Sequence, residues 1–179
     1  MITNQSALLI IDAQEKITNP IEGKGTIIKN IKILLDAYES LEENIYISEQ
    51  IPKKLGKTIP NLLPTKKFKL FEKVDFSLGT NSEFINDLNE KKIKNLIICG
   101  FETHICVQQT VIDLLNCNFK IYIVVDAMGS RNAIDHQISL KRMFSEGAII
   151  STSESIIFEL CKTSSREEFK SISNIIKNK

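Results

Sequence analysis

The sequence is poor in the residues that usually hold metals or form disulfide frameworks. It has two histidines and four cysteines, at positions 99, 106, 117 and 161, and no two cysteines form a CxxC pair. Zinc sites and disulfide scaffolds need such residues clustered at short spacing. We therefore expect reduced thiols, and we interpret Cys99, Cys117 and Cys161 as small buried hydrophobic residues.

Long hydrophobic runs and blocks of one charge are also missing. No apolar stretch approaches the roughly 18 residues that cross a membrane, and the N-terminus has no cationic segment followed by a long apolar one. The 23 Lys and Arg residues nearly balance the 22 Asp and Glu residues, which leaves a formal net charge of +1. These features predict a cytoplasmic protein that binds neither membranes nor nucleic acid.

Glycine-rich phosphate-binding loops are absent too. The segment GKGT at residues 23–26 lacks the spacing of a P-loop, and no GxGxxG motif follows the first predicted strand. The sequence therefore gives only weak support for nucleotide binding, and we predict no cofactor.

Short apolar strands alternate with helical segments along the chain. A chain of 179 residues with 42% hydrophobic content can bury one core, so we predict a single domain over residues 1–179. Several strands are continuously apolar, which is typical of a sheet covered on both faces. The pattern predicts a three-layer α/β/α fold. The six predicted strands are residues 7–11, 45–48, 68–71, 96–99, 121–125 and 148–150.

Two helix starts are predicted from capping boxes. Thr80 pairs with Glu83, and Ser164 pairs with Glu167. Apolar residues follow the second box at helical spacing over residues 169–176. We therefore expect the C-terminal segment to be a docked helix rather than a tail.

The most informative segment is LIICGFETHICVQ at residues 96–108, an apolar strand that ends in Gly100 and leads through a short turn to Cys106. In a parallel α/β sheet, ligands bind beyond the carboxyl ends of the strands. We expect Cys106 in the first turn of the next helix, where the helix dipole favours a thiolate and backbone N–H groups bind an oxyanion.

Two charged residues are predicted to share this crevice with Cys106. Asp12 follows the first strand and Lys73 follows the third, so both lie at carboxyl ends. A cysteine that attacks a carbonyl needs a proton acceptor, which Asp12 supplies, and Lys73 offsets the negative charge. His104 lies too close in sequence to Cys106 to act as the base, and His136 lies on a later helix.

Each of these residues also has a simple structural interpretation. A carboxylate after a strand is often a turn residue, a lysine is usually solvated and a single cysteine usually packs in a core. A non-catalytic oligomerising protein and a thiol-redox protein therefore remain alternatives. A receiver-like signalling domain also has an Asp after its first strand, but Lys73 stands where its phosphorylatable Asp is required.

The chain resembles the isochorismatase-like cysteine hydrolases over nearly its whole length, and most closely the small isochorismatase-domain proteins without an assigned substrate. The most specific block is GFETHICVQQTVIDLL at residues 100–115. The other blocks are moderately specific but occur in the right order: LLIIDAQEKI at 8–17, SEQIPKKLG at 48–56, EKVDFS at 72–77, VVDAMGSR at 124–131 and STSES at 151–155.

This resemblance implies a six-stranded parallel sheet between helices, as in Rossmann-like topologies. It also implies that Asp12, Lys73 and Cys106 form a catalytic triad. A cis peptide between Phe101 and Glu102 is implied as well. That peptide turns the backbone N–H groups of Glu102 and Cys106 toward one oxyanion.

Departures from the patterns of particular relatives narrow the implied chemistry. True isochorismatases, which cleave a vinyl ether, lack the nucleophilic cysteine, so Cys106 favours hydrolysis of a C–N bond. Nicotinamidases have an Asp-x-His metal cluster after the second strand, where this chain has Ser48, Glu49 and Gln50. Isochorismate and nicotinamide are therefore the less favoured substrates, and no metal site is predicted.

We thus predict a hydrolase that acts on an amide-like bond of a small molecule through a thioester on Cys106. The family likeness also implies a homo-oligomer. By proximity in sequence, we predict a substrate pocket lined by Gln14, Ile17, Gln50, Phe76 and Thr103.

Overall fold

The computed structural model describes residues 5–177 and contains one sheet of six parallel strands. The strands are β1 (Ser6–Ile11), β2 (Asn44–Gln50), β3 (Lys69–Lys73), β4 (Asn95–Phe101), β5 (Lys120–Gly129) and β6 (Ile149–Ser151). Their order in the sheet is β3-β2-β1-β4-β5-β6. The predicted parallel α/β architecture is confirmed.

Helices connect the strands, as parallel pairing requires. They are α1 (Glu15–Thr18), α2 (Lys24–Ser40), α3 (Pro52–Leu55), α4 (Ser82–Glu90), α5 (Gln108–Asn116), α6 (Ala133–Ser145), α7 (Ser153–Cys161) and α8 (Phe169–Lys177). A 3₁₀ turn covers Pro60–Leu62, and a π-helical turn covers Thr103–Val107.

Successive residues of the central strands enter two separate cores. In β1, Leu8 and Ile10 pack on one face of the sheet, while Leu9 and Ile11 pack on the other. The first core includes side chains from α2, α7 and α8, and the second includes side chains from α4, α5 and α6. This alternation follows from the two-residue period of a strand and produces the three layers.

The chain reverses its direction of winding between β1 and β4. Strands β2 and β3 lie on one side of β1, and β4 to β6 lie on the other. Such a switch point opens a crevice at the carboxyl ends of the two central strands. At that end Gly100 pairs with Ile11, and a Cβ on Gly100 would lie 2.1 Å from the carbonyl oxygen of Ile11. Only glycine fits there.

Both predicted capping boxes are wrong. The side chain of Asn81 caps α4 by accepting the Phe84 N–H at 2.9 Å, while the Thr80 hydroxyl donates to the Ser77 carbonyl. Asparagine is the stronger N-cap, so the neighbour of Thr80 takes this position. Helix α8 begins five residues after Ser164. Its docking is nevertheless confirmed, because the side chain at position 172 is fully buried.

The cysteines outside the motif differ in exposure. Cys99 and Cys161 are buried as expected, but Cys117 is exposed, so that prediction is wrong. The reason is that Cys117 is the C-cap residue of α5, where the chain turns at the surface.

Among residues 5–177, no helix has both the length and the apolar character of a membrane span.

Candidate active site

The structure brings Asp12, Lys73 and Cys106 together at the carboxyl ends of β1, β3 and β4. The Lys73 Nζ lies 2.7 Å from Asp12 Oδ2. The Cys106 thiol interacts with both of these side chains. The three residues are 0%, 7% and 6% exposed, respectively. A thiol, a carboxylate and an ammonium group therefore share one site that is shielded from solvent.

The position of Asp12 is fixed by its backbone and by its side chain. Its backbone lies in the left-handed region with φ of 47°, and its N–H donates to the Ser48 carbonyl at 3.1 Å. The Ser48 hydroxyl donates to Asp12 Oδ1 at 2.7 Å. Lys73 holds the second oxygen. A carboxylate has about four lone-pair sites, so Asp12 can accept a further hydrogen bond.

Lys73 donates to three oxygen atoms. These are Asp12 Oδ2 at 2.7 Å, Gln50 Oε1 at 2.6 Å and the Phe76 carbonyl at 3.0 Å. Three acceptors match the three N–H groups of an ammonium ion. Gln50 is itself held, because its Nε2 donates to the Val74 carbonyl at 2.6 Å. The position of the positive charge is thereby fixed beside Asp12.

The surroundings of Cys106 act against the expected thiolate. Burial, followed by the negative charge of Asp12, raises the pKa of the Cys106 thiol to about 12, and Lys73 acts in the opposite direction. Cys106 also lies in the π-helical turn rather than in the first turn of an α-helix. Burial and the charge of Asp12 therefore favour the neutral thiol at Cys106.

The turn that carries Cys106 has the backbone feature that the resemblance implies. The peptide bond between Phe101 and Glu102 is cis. The Glu102 carbonyl accepts the N–H groups of Ile105 and Val107 at 3.1 and 3.2 Å. The side chain of Glu102 accepts the Arg131 backbone N–H at 3.0 Å. Hydrogen bonds to the carbonyl and to the side chain of Glu102 therefore restrain the segment after β4.

The five residues predicted to line a pocket lie in different environments. Gln50 contacts Lys73 directly, and Gln14 is one step away, because its side chain pairs with the backbone of Gln50. Ile17 is partly buried and packs against the first core. The Phe76 side chain is 53% exposed while its carbonyl contacts Lys73, and Thr103 is fully buried within the π-helical turn.

Ser48 is a partner of Asp12 that the sequence pattern did not single out. Ser48 and Gln50 are two residues apart in β2 and point to the same face of the sheet, so one contacts Asp12 and the other contacts Lys73. Glu49 between them accepts from the Thr58 N–H and hydroxyl instead.

Within residues 5–177, no group of three or more metal-ligating side chains is close enough to hold a metal ion.

Comparison with known proteins identifies the family. Residues 6–155 match the isochorismatase domain. Isochorismatase family protein 1B of Dictyostelium discoideum is 38% identical, and the alignment covers 100% of this chain and 89% of that protein. The secreted isochorismatase effector Isc1 of Phytophthora sojae is 32% identical, with 99% and 87% covered. Among solved structures, a MAR1 ribonuclease from Caenorhabditis elegans superposes with a TM-score of 0.92 at 36% identity, covering 98% of this chain and 91% of that one. The chain belongs to the isochorismatase family.

Proposed function

We propose that this protein hydrolyses an amide-like C–N bond of a small molecule through a thioester on Cys106. The observation that carries this proposal is the contact of a buried thiol with a carboxylate that is itself paired with a lysine. A neutral thiol becomes a nucleophile when a neighbouring base removes its proton during the attack. Asp12 is in position to be that base.

In the first half of the reaction, the Cys106 sulfur bonds to the carbonyl carbon as its proton moves to Asp12. The carbonyl oxygen then carries a negative charge, which the backbone N–H groups of Glu102 and Cys106 stabilise. Asp12 next gives its proton to the nitrogen, and the C–N bond breaks. An amine or ammonia leaves, and the acyl group remains on sulfur as a thioester.

In the second half, water attacks the thioester while Asp12 takes one of its protons. The C–S bond breaks, and the proton held by Asp12 returns to the sulfur. The products are a carboxylic acid and the starting thiol. Lys73 keeps the charge on Asp12 balanced whenever Asp12 is ionised, and Ser48 keeps Asp12 Oδ1 in place.

The surroundings of the site favour a small molecule over an RNA chain. The surface groove next to Lys73, whose lining includes neither Asp12 nor Cys106, carries three carboxylates, those of Glu72, Asp75 and Glu83. Their negative charges repel a phosphate backbone. The ribonuclease name of the C. elegans protein nevertheless makes RNA a necessary comparison substrate.

A substrate screen tests this proposal. Purified protein is incubated with a set of amides and ureides and, separately, with single-stranded RNA, and the release of amine, ammonia or RNA fragments is measured. The proposal predicts turnover of an amide or ureide, loss of that turnover in Cys106→Ala, and a reduction of about 10²–10⁴-fold in Asp12→Asn. Cys117→Ser is the matched cysteine control. RNA cleavage that persists in Cys106→Ala contradicts the proposal.

We also propose that the protein self-associates. Helix α6 exposes Ile134 and Ile138, which are four residues apart and 63% and 53% exposed. Residues four apart share one face of a helix, and exposed apolar faces of this kind often form interfaces. Light scattering coupled to size-exclusion chromatography tests this point. Ile138→Lys should shift the elution toward the monomer, whereas a wild-type monomer excludes the proposal.

We place this activity in the cytoplasm, because a thiol mechanism needs Cys106 in its reduced form and the cytoplasm keeps cysteines reduced. The Phytophthora relative is secreted. Fractionation of the source cells tests the placement: the protein should appear with cytoplasmic markers, and its recovery from the medium contradicts it.

A further inference from the structure

The turn that carries Cys106 has a hydrogen-bond pattern of its own. The Val107 N–H donates to the Glu102 carbonyl at 3.2 Å, and the Gln108 N–H donates to the Thr103 carbonyl. Each bond spans five residues instead of four, which defines a π-helical turn and is frequent at functional sites. The location of Cys106 therefore depends on keeping this turn in its wider form.

Ser139 of α6 contacts both ends of the turn. Its hydroxyl oxygen lies 2.9 Å from the Thr103 carbonyl oxygen and 2.9 Å from Gln108 Oε1. Both neighbours are acceptors, and the Ser139 hydroxyl supplies the one hydrogen between them. Ser139 is only 2% exposed. Water therefore does not replace this contact.

His136 holds the same residue of the turn by its side chain. His136 Nδ1 lies 2.9 Å from the Thr103 hydroxyl, and burial lowers the pKa of the imidazole. A neutral imidazole exchanges one hydrogen bond with a hydroxyl group at this distance. His136 and Ser139 are three residues apart, so they share one face of α6. Thr103 is thus held through its carbonyl and through its hydroxyl.

We propose that Ser139 and His136 are positioning residues, which fix the π-helical turn so that the Cys106 sulfur stays against Asp12. This inference rests on the proposed function of Cys106. Thr103 is three residues before Cys106, and every contact between Thr103 and α6 restrains the start of the turn. A displacement of about 1 Å in a reacting group can lower a rate by ~10²-fold.

The test uses Ser139→Ala in a Cys117→Ser background, which removes the exposed thiol. Ser145→Ala is the matched control, because Ser145 lies on the same helix, is exposed and contacts only the Arg142 carbonyl among the described residues. Iodoacetamide alkylation of Cys106 is followed by intact mass from pH 6 to pH 11, with peptide mapping to assign the adduct. Turnover of any substrate found in the screen is measured in parallel.

The proposal predicts that Ser139→Ala moves the pH dependence of Cys106 alkylation to lower pH, because the thiol leaves its contact with Asp12. It also predicts a fall in kcat of ~10–100-fold with KM changed by less than ~3-fold. Ser145→Ala should match the background in both measurements. A purely structural contribution by Ser139 would lower the melting temperature without moving the alkylation profile.

Substitution of His136 gives a second test, which still applies if Ser139→Ala does not fold. His136 is half-buried, so its replacement disturbs the core less. His136→Leu should reproduce the alkylation shift, and His136→Asn, which places an amide near the position of Nδ1, should restore the background profile. The proposal is overturned when Ser139→Ala and His136→Leu are both folded and both retain the background profile and kcat.

The alkylation profile also separates the two proposals. If the α6 variants shift the alkylation profile of Cys106 but the wild type turns over no amide or ureide, the positioning role is supported and the proposed reaction is contradicted. If turnover depends on Cys106 but both α6 variants keep the background alkylation profile, the proposed reaction is supported and the positioning role is contradicted.

Discussion

The Lys73 ammonium lies 2.7 Å from the Asp12 carboxylate, and both side chains are almost completely buried. Removing one member of a buried ion pair leaves the other charge without compensation. This pair therefore links the stability of the protein to its proposed chemistry.

We predict that Lys73→Met lowers the free energy of unfolding by about 3–5 kcal/mol, because Asp12 then remains buried without its cation. Urea denaturation followed by circular dichroism measures the change. The double variant Asp12→Asn with Lys73→Met should recover part of the loss. A single-variant loss below ~1 kcal/mol would show that the pair is far better solvated than the structure indicates.

We predict slow alkylation of Cys106 in the wild-type protein near neutral pH. The thiolate is the reactive form, and the raised pKa keeps Cys106 protonated, so the exposed Cys117 should react first and Cys106 should lag by more than ~10-fold at pH 8. Intact mass with peptide mapping distinguishes the two sites. Rapid modification of Cys106 below pH 7 would instead reveal a stabilised thiolate.

We predict that Asp12→Asn speeds this alkylation even though it slows catalysis. The carboxylate is one of the causes of the raised pKa of Cys106, and the amide carries no charge, so the thiol ionises at lower pH in the variant. The measurement is the same pH series of iodoacetamide reactions. An alkylation profile that stays in place would mean that burial alone sets the ionisation of the thiol.

We predict that Ser48→Ala lowers the free energy of unfolding by about 1–3 kcal/mol, because Asp12 Oδ1 loses its donor in a buried site. It should also lower kcat, since the Asp12 carboxylate then keeps its bond to Lys73 but loses the one that holds Oδ1. Ser145→Ala is the exposed control. Equal stability and equal turnover in the two variants would exclude a role for Ser48 in holding Asp12.

We predict that Gly100→Ala destabilises the protein by more than about 4 kcal/mol or abolishes soluble expression, because the added Cβ meets the backbone of Ile11. Gly147→Ala is the matched control. Gly147 also has a positive φ, of 107°, but its Cβ would meet no atom within 4 Å, so only the backbone cost of ~1–2 kcal/mol applies. Similar losses in both variants would show that the close approach of β4 to β1 is not rigid.

Much of the fold follows from local sequence signals. Continuous apolar runs indicate covered parallel strands, and all six occur close to the predicted positions. The meeting of Asp12, Lys73 and Cys106 follows from the same reasoning, because the carboxyl ends of parallel strands share one edge.

The remaining features depend on distant packing. Burial, the largest cause of the raised pKa of Cys106, is encoded by no local motif. Ser139 is adjacent to Thr103 only because α6 packs on the turn, and the sequence separates them by 36 positions. The exposure of Cys117 likewise depends on where α5 ends. Local spacing predicts which face of an element a residue occupies, but not what covers that face.

The thioester on Cys106 is tested most directly by rapid quenching during turnover of the substrate identified in the screen, followed by intact mass and peptide mapping. The account predicts an added mass equal to the acyl part of the substrate, located on Cys106 and absent from Cys106→Ala. Full turnover in Cys106→Ala, with no covalent adduct at any time point in the wild type, would contradict it.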